Sequence, residues 1–150
     1  LVRKLALRGV TAVVLESDEM RKILTPEPTY SPDERDRFYG MLARIGALLV
    51  RSGVNVIFDA TGNKRAYRDH ARSLIARFAE VFVDCPAAVC MARDPKGIYA
   101  AAARGTTATV PGVQSSYEPP LRPEVTVDGQ AGPPAAAEAV FTRLQELRYI

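Results

Sequence analysis

The densest group of chemically active side chains lies in the heptapeptide R-D-P-K-G-I-Y at positions 93–99. Arg93 and Lys96 could neutralise phosphate oxygens, and the glycine that follows lets the backbone bend sharply. Arg104 adds a third cation within a glycine-, threonine- and proline-rich stretch, and we predict a phosphate-binding lid over about 93–122. The structural alternative is a surface turn that begins a helix, which would not require two cations so close together.

Candidate catalytic groups also follow the predicted strands. The segments 16–18, 59–62 and 84–86 each come directly after an apolar, β-branched run. Ligands of parallel α/β sheets bind at the carboxyl ends of the strands, so these segments are predicted to line a site. Asp18 could orient Mg²⁺ or accept a proton from a hydroxyl group. It could also cap the helix that begins beside it.

The elements that position these groups alternate between strand and helix. Strands are predicted over 10–16, 54–59, 80–84 and 125–127, and helices over 17–24, 32 to about 52, 63 to about 78, 86 onward, and 133–147. Asn63 is expected to cap the helix that it begins. This alternation implies right-handed crossovers and a three-layer α/β fold, in which helices cover both faces of a parallel sheet. A chain of 150 residues is one domain by size, so we predict a single domain over 1–150.

The composition limits the classes of ligand and partner. Sixteen of the twenty basic residues are Arg, the side chain best suited to bidentate phosphate contacts. They are scattered and the net charge is only +3, which predicts a pocket for a small anion and no nucleic-acid surface. Arg65, Arg68 and Arg72 share a helix face that is predicted to be solvated, with one side chain reaching the pocket as the alternative.

No apolar run approaches the ~20 residues that a membrane helix needs, so no membrane partner is expected. Cys85 and Cys90 cannot form a zinc site with the single His of the chain. Reduced thiols in a cytoplasmic protein are predicted, with a regulatory disulfide as the alternative.

The first residues have the spacing of a helix that lacks its beginning. Leu1, Val2 and Leu5 are spaced helically and Gly9 is a good C-terminal cap, but no N-cap residue precedes them. No G-x-x-x-x-G-K-[ST] sequence occurs in these residues, although P-loop kinases carry this loop between their first strand and first helix. We therefore expect a fragment, or a naturally shortened chain, without the first strand and the phosphate-binding loop.

The lid heptapeptide and the later Y-E-P-P at 117–120 together resemble the R-D-P-K-G-L-Y…P-Y-E-x-P signature of adenylylsulfate kinases. These enzymes transfer the γ-phosphoryl group of ATP to the 3′-hydroxyl of adenosine 5′-phosphosulfate (APS), which gives 3′-phosphoadenosine 5′-phosphosulfate (PAPS). The resemblance extends over essentially the whole chain. It implies a P-loop kinase fold, ATP and Mg²⁺ as cofactors, and a role in sulfate assimilation.

The resemblance also implies catalytic residues. The segment 16–21, E-S-D-E-M-R, is similar to the family's D-G-D-x-x-R, which makes Asp18 the carboxylate near the attacking hydroxyl or the metal. Arg93 and Lys96 would contact the transferred phosphate, with Arg104 as a further cation of the lid.

Acceptor-binding residues are implied by three shorter matches. The segment 30–35 is similar to F-S-x-x-D-R, while Thr61 keeps the hydroxyl of an I-S-P segment and Gly112 the glycine of F-T-G. The residues implied to bind the acceptor are Arg21, Tyr30, Arg35, Thr61 and Gly112. The ring at position 30 would stack on the purine; a hydrophobic contact at the start of the helix is its alternative role.

Four positions depart from the family pattern. Phe38, Gly40 and Met41 replace an Asn and a pair of Arg, and Val110 replaces the lid Phe. Two alternatives to an APS kinase therefore stay open: a P-loop kinase that acts on another small-molecule hydroxyl, and a non-catalytic nucleotide-binding regulatory domain. A homodimer, or fusion with an ATP sulfurylase, is the protein partnership expected from the family.

Overall fold

The computed structural model describes residues 1–94, 97–104 and 116–150. Its elements in chain order are α1 (Val2–Ala6), β1 (Ala12–Glu16), α2 (Ser17–Leu24), α3 (Pro32–Arg51), β2 (Asn55–Asp59), α4 (Arg65–Leu74), β3 (Val81–Asp84), α5 (Ala87–Arg93), α6 (Ile98–Ala103), β4 (Val125–Asp128) and α7 (Pro133–Glu146). This order confirms the predicted alternation of strands and helices. None of the helices in the described part of the chain is long and apolar enough to span a membrane.

The longest helix, α3, begins where its capping sequence predicts. The Ser31 hydroxyl accepts a hydrogen bond from the backbone N–H of Glu34 at 3.3 Å, and a proline occupies the first helical turn. One face of the helix is apolar and packs against β1 and β2. Leu15, Phe38, Tyr39 and Leu42 form the buried cluster at this contact, so α3 is held rigidly beside the edge of the sheet where the site is predicted.

All strand pairing is parallel, and it occurs in two separate pairs. β1 pairs with β2, with Glu16 opposite Asp59, and β3 pairs with β4, with Asp84 opposite Asp128. The sequence predicted one continuous sheet, whereas no backbone ladder joins β2 to β3 within the described residues. In each pair the two carboxyl ends lie side by side. The segments that follow β1 and β2 therefore leave the sheet at one common edge.

The start of α4 differs from its prediction. Asn63 was predicted to cap this helix, but the helix begins at Arg65 and Lys64 occupies the capping position. The Asn63 side chain instead donates to the carbonyl of Ser116 at 3.1 Å. The carboxylate of Glu118 accepts from the N–H of Arg65 at 2.8 Å, so a distant residue provides the cap that a local one was expected to provide.

The end of α4 was also predicted wrongly. α4 ends at Leu74 and not near position 78, because the next residue, Ile75, leaves the helical conformation and is buried. The region predicted as lid and loop contains a short helix, α6, directly after the lid heptapeptide. The alanine run at 100–103 lies in this helix, as its high helix propensity allows.

Candidate active site

Three of the predicted site residues share one cavity. Asp18, Arg21 and Tyr30 line a cavity of about 240 Å³ beside the carboxyl end of β1, together with Lys22 and a proline-rich turn. Asp18 is exposed in the first turn of α2, and Arg21 is one helical turn further on. The structure therefore places a carboxylate, a cation and an aromatic ring around a space large enough for part of a small ligand.

The guanidinium of Arg21 is fixed in place from several sides. The residue is only 8% exposed, and its Nη1 donates to Glu34 Oε1 at 3.0 Å. The guanidinium also lies 4.0 Å from the ring centroid of Phe38 and 5.0 Å from that of Tyr30. A cation stacked on rings and bound to a carboxylate has little freedom, so this charge is pre-positioned at the cavity.

Glu34 is the residue that anchors this arrangement, and the sequence did not identify it as part of the site. Its Oε2 accepts hydrogen bonds from the Thr29 hydroxyl at 2.6 Å, from the Tyr30 N–H at 3.1 Å and from the Thr29 N–H. The hydroxyl bond lowers the pKa of the Glu34 carboxyl most, and the backbone bonds and Arg21 lower it further. Glu34 is therefore a carboxylate at neutral pH, as its pair with Arg21 requires.

Tyr30 and Arg35 lie together at the start of α3. Arg35 Nε donates to the Tyr30 carbonyl at 3.2 Å, and its guanidinium is 5.8 Å from the Tyr30 ring. The Tyr30 backbone has a φ of 56°, which is unusual for a side chain of this size. The residue remains 39% exposed and lines the cavity, so this conformation does not bury its aromatic side chain in the core.

The loop after β2 is bound by contacts from two directions. Thr61 is exposed, while the N–H of Gly62 donates to the Tyr39 hydroxyl at 3.1 Å. Gly62 has a φ of 48°, a conformation that glycine adopts without strain. Asn63 is 5% exposed, and its carbonyl accepts from the Glu118 N–H at 2.8 Å. The loop that carries Thr61 therefore has a defined backbone path.

In the lid heptapeptide, the acidic residue has a structural role that the sequence did not reveal. Asp94 accepts from the backbone N–H of Tyr99 at 3.2 Å and of Ala100 at 2.9 Å, at the start of α6. These bonds, that of Ala100 first, lower the pKa of the Asp94 carboxyl, and the charge of Arg104 acts in the same direction. The heptapeptide thus does begin a helix, which was the structural alternative for this segment.

The cations of the lid are only partly located. Arg93 is exposed at the end of α5, and its Nη1 donates to the Gly129 carbonyl at 2.7 Å. Arg104 is exposed immediately after α6. Lys96 and Gly112 lie outside the described residues. The structure therefore does not bring Arg93 and Arg104 into the cavity that Arg21 lines.

Three of the four positions that depart from the family pattern do not line this cavity, and the fourth, Val110, lies outside the described residues. Phe38 is completely buried beneath the Arg21 guanidinium. Gly40 and Met41 face a wider cleft of about 850 Å³ between α3, α4 and the end of α2. Of the predicted site residues that the structure describes, none lines this larger cleft. Of its charged groups, Asp36 is already paired with Lys64 at 2.6 Å and with the Tyr67 hydroxyl at 2.5 Å.

The basic face predicted on α4 is largely occupied by ion pairs. The side chain of Arg68 is 14% exposed and binds Glu80 at 2.6 Å, while Arg72 binds Glu124 at 2.7 Å and Glu80 at 3.4 Å. The prediction of a solvated face was therefore wrong for these two arginines. The acidic partners lie 12 residues from Arg68, and 8 and 52 residues from Arg72, in sequence. They belong to other parts of the chain, which helical spacing cannot reveal.

Comparison with known families gives a direct match over most of the chain. The family model described as adenylylsulphate kinase matches residues 1–128. The chain belongs to the adenylylsulfate kinase family. A probable adenylyl-sulfate kinase of Pyrococcus abyssi is 36% identical over 151 aligned positions, which cover 100% of this chain and 87% of the relative. The family predicted from the lid heptapeptide is thereby confirmed.

A solved structure of the family has the same fold. The adenylylsulfate kinase CysC of Mycobacterium tuberculosis, solved in complex with AMPPNP and APS, superimposes with a TM-score of 0.88 at 31% identity, over 95% of this chain and 85% of that one. This match confirms the α/β P-loop kinase fold. A probable bifunctional SAT/APS kinase of Sorangium cellulosum is 33% identical over 98% of the chain, which spans 26% of that longer relative.

Proposed function

We propose that this chain acts as a kinase that transfers the γ-phosphoryl group of ATP to the 3′-hydroxyl of APS. The observation that carries the proposal is the cavity beside β1, where Asp18, the fixed Arg21 guanidinium and the exposed Tyr30 ring meet. An adenine nucleotide with a phosphosulfate end offers a ring, an anionic group and a ribose hydroxyl. The three side chains complement these three features.

Each residue has a distinct part in the proposed reaction. Arg21 binds the anionic end of APS, Tyr30 stacks on the adenine, and Arg35, which adjoins the same ring, adds positive charge. Asp18 orients the 3′-hydroxyl and accepts its proton as the γ-phosphoryl group is transferred. Because phosphoryl transfer needs positioning and charge neutralisation more than covalent help, these contacts account for the acceptor side of catalysis.

The lid would supply positive charge from the other side. Arg93, Lys96 and Arg104 neutralise the transferred phosphoryl group in this proposal, and Thr61 and Gly112 contact the acceptor. A guanidinium has five N–H donors, so Arg93 could keep its bond to Gly129 and still bind a phosphate oxygen. The β-phosphate of ATP is usually bound by a G-x-x-x-x-G-K-[ST] loop, and no such sequence occurs in the 150 residues.

ATP and Mg²⁺ are the proposed cofactors. Magnesium in kinases is held mainly by nucleotide phosphates and water, with one or two protein carboxylates. No group of three metal-binding side chains occurs within the described ranges. Asp18 is the residue that would hold the ion through a single carboxylate. When bound, Mg²⁺ neutralises the charge of the phosphates.

We also propose a cytoplasmic location, because ATP is available there and both cysteines are unpaired thiols. A homodimer, or association with an ATP sulfurylase, is proposed on the basis of the family. The bifunctional relative shows that such a chain can occur within a longer protein. Analytical ultracentrifugation of the protein expressed from its complete reading frame would measure the oligomeric state.

An acceptor screen tests the proposed function. The protein from the complete reading frame is incubated with MgATP and with APS, AMP, or small alcohols, and the phosphorylated product is identified by mass spectrometry. APS should be the preferred acceptor, and Arg21→Met should weaken it about 100-fold, because a charge-assisted contact contributes about 1.5–3 kcal/mol. Arg51→Met is the matched control, because Arg51 is exposed at the C-terminal end of α3.

The screen separates this function from its alternatives. Efficient phosphorylation of another hydroxyl, with APS ignored, would establish the kinase of different specificity. Binding of nucleotide without turnover on any acceptor would establish the regulatory domain. Neither Gly40 nor Met41 lines the cavity, and Phe38 is buried beneath it. The loss of polar groups at these positions therefore leaves the contacts of Arg21 and Tyr30 intact, which favours APS.

A further inference from the structure

Arg68 is at the centre of a set of contacts that joins three separate parts of the chain. Its Nε donates to Glu80 Oε1 at 2.6 Å, at the start of β3. One terminal nitrogen, Nη1, donates to the carbonyl of Gly62, and the other, Nη2, donates to the carbonyl of Glu118 at 2.6 Å. Its guanidinium also lies 5.5 Å from the centroid of the Tyr117 ring.

Two of these partners are backbone carbonyls that belong to functional segments. Gly62 lies beside Thr61 in the loop after β2, and Glu118 belongs to the Y-E-P-P segment of the family signature. Asn63 joins the same two parts of the chain a second time. Its backbone carbonyl accepts from the Glu118 N–H at 2.8 Å, and its side-chain amide donates to the Ser116 carbonyl at 3.1 Å. Arg68 therefore donates hydrogen bonds both to the loop after β2, which carries Thr61, and to the segment 117–118. We call the contact between these two segments the junction.

We propose that Arg68 is a positioning residue that fixes the Thr61 loop against the segment 117–118. Arg68 reaches no substrate itself; it acts by holding the Gly62 and Glu118 carbonyls at a set separation. The effect on catalysis rests on the proposed function above, in which Thr61 contacts the acceptor. The effect on the structure of the loop does not depend on that function.

The chemistry of the guanidinium explains why an arginine is used. Three acceptors in different directions must be bound at once by one rigid, planar group with donors on all three nitrogens. A lysine keeps the charge but offers a single compact ammonium group. This group could pair with Glu80 but would lose the hydrogen bond to at least one of the two carbonyls. Arg68→Lys therefore separates the ion pair from the backbone contacts.

Arg72 provides a matched control on the same helix. It lies one turn after Arg68 and shares the partner Glu80, and it also binds Glu124 at 2.7 Å. Its ring contact is with Phe78, at 5.0 Å. No contact recorded among the described residues joins Arg72 to Gly62 or to Glu118. Arg72→Lys keeps the charge and weakens a similar set of ion pairs, as Arg68→Lys does, but it leaves the junction in place.

Amide hydrogen exchange tests the structural half of the proposal without any substrate. The reporters are the N–H of Glu118, which is bonded to the Asn63 carbonyl, and the N–H of Arg65, which is bonded to the Glu118 carboxylate. Arg68→Lys should make both exchange at least tenfold faster, while Arg72→Lys leaves them unchanged. Equal exchange in both variants, after correction for global stability, would overturn the proposal.

Steady-state kinetics of the protein from the complete reading frame test the functional half. Arg68→Lys should raise the KM for APS about tenfold, the effect of weakening about one hydrogen bond between the Thr61 loop and the acceptor. The kcat and the KM for ATP should stay within twofold, and Arg72→Lys should match the wild type. An unchanged KM for APS despite faster exchange would overturn the role in acceptor binding.

A double variant controls for destabilisation of the fold by an unpaired Glu80 carboxylate. Arg68→Met alone leaves the Glu80 carboxylate, which is largely buried, without one of its cations. Arg68→Met combined with Glu80→Gln removes both charges and should show the same faster exchange at Glu118. If the wild type does not phosphorylate APS at all, the proposed function fails, while the exchange measurement still decides whether Arg68 fixes the junction.

Discussion

Replacing Glu34 with Gln removes one charge from the most buried ion pair of the site while keeping the shape of the side chain. Glu34 and Arg21 have side chains that are only 8% and 10% exposed. Loss of one partner from such a pair leaves an uncompensated buried charge and costs about 3–5 kcal/mol. We expect Glu34→Gln to lower the free energy of unfolding by about 3 kcal/mol, toward the low end of that range, because Phe38 and Tyr30 still contact the guanidinium.

Asp36→Asn is the matched control for this substitution. Asp36 lies on the same helix, two residues further on, and its pair with Lys64 is also short, at 2.6 Å. Its side chain is 54% exposed, so the loss should be no more than about 1 kcal/mol. Urea denaturation followed by circular dichroism would give both values from the midpoint and slope of each transition.

The dependence on pH provides a second measure of the Glu34 carboxylate, whose pKa is lowered most by the Thr29 hydroxyl, then by the backbone N–H groups of Thr29 and Tyr30, and least by the charge of Arg21. The pKa of Glu34 is lowered in the folded protein, so its contribution to stability is present above the unfolded pKa and is lost as the pH falls through the folded pKa. The difference between wild type and Glu34→Gln should therefore shrink in acid. Equal losses for Glu34→Gln and Asp36→Asn, or a difference that is independent of pH, would refute the argument that burial makes this pair strong.

Three further predictions concern the core and the lid. Phe38→Asn should lower stability by about 3 kcal/mol or more, because it replaces a fully buried ring with an amide, and calorimetry should show no gain in APS affinity. Asp94→Ala should speed amide exchange at Ala100, and unchanged exchange would contradict its capping role. In the protein expressed from the complete reading frame, Arg93→Ala and Lys96→Ala should each lower kcat more than they raise KM. A variant whose kcat stays within twofold of the wild-type value would show that its residue does not have the proposed catalytic role.

Local signals in the sequence were sufficient for most of the fold. Ser31, Pro32 and Glu34 specify the start of α3, because a cap, a fixed backbone angle and an acidic side chain act within one turn. The strands were found because short β-branched runs lie between helical patterns. The lid heptapeptide identified the family, since its unusual density of charged residues and glycine is preserved in a short, ungapped segment.

The contacts that complete the site could not be read in the same way. Capping chemistry placed Glu34 at the start of α3 but gave no indication that Arg21, 13 residues earlier, would bind it. Spacing put Arg68 on one face of a helix, but the partners of that face come from other elements. Asn63 was expected to cap α4. Glu118 caps it instead, because the fold brings the Glu118 carboxylate to the N–H of Arg65. Sequence patterns determine which groups are available locally, whereas the long-range pairing of charges depends on the assembled fold.

Burial also changes what a departure from a family pattern means. Read along the sequence, Phe38 is a lost polar contact to the substrate. In the structure its ring has no exposed surface, and the guanidinium of Arg21 lies 4.0 Å from its centroid. The aromatic side chain therefore supports the cation that is proposed to bind the acceptor, by stacking from below. A residue can thus disappear from the list of substrate contacts and still contribute to the site, because the position of a buried charge depends on what it packs against.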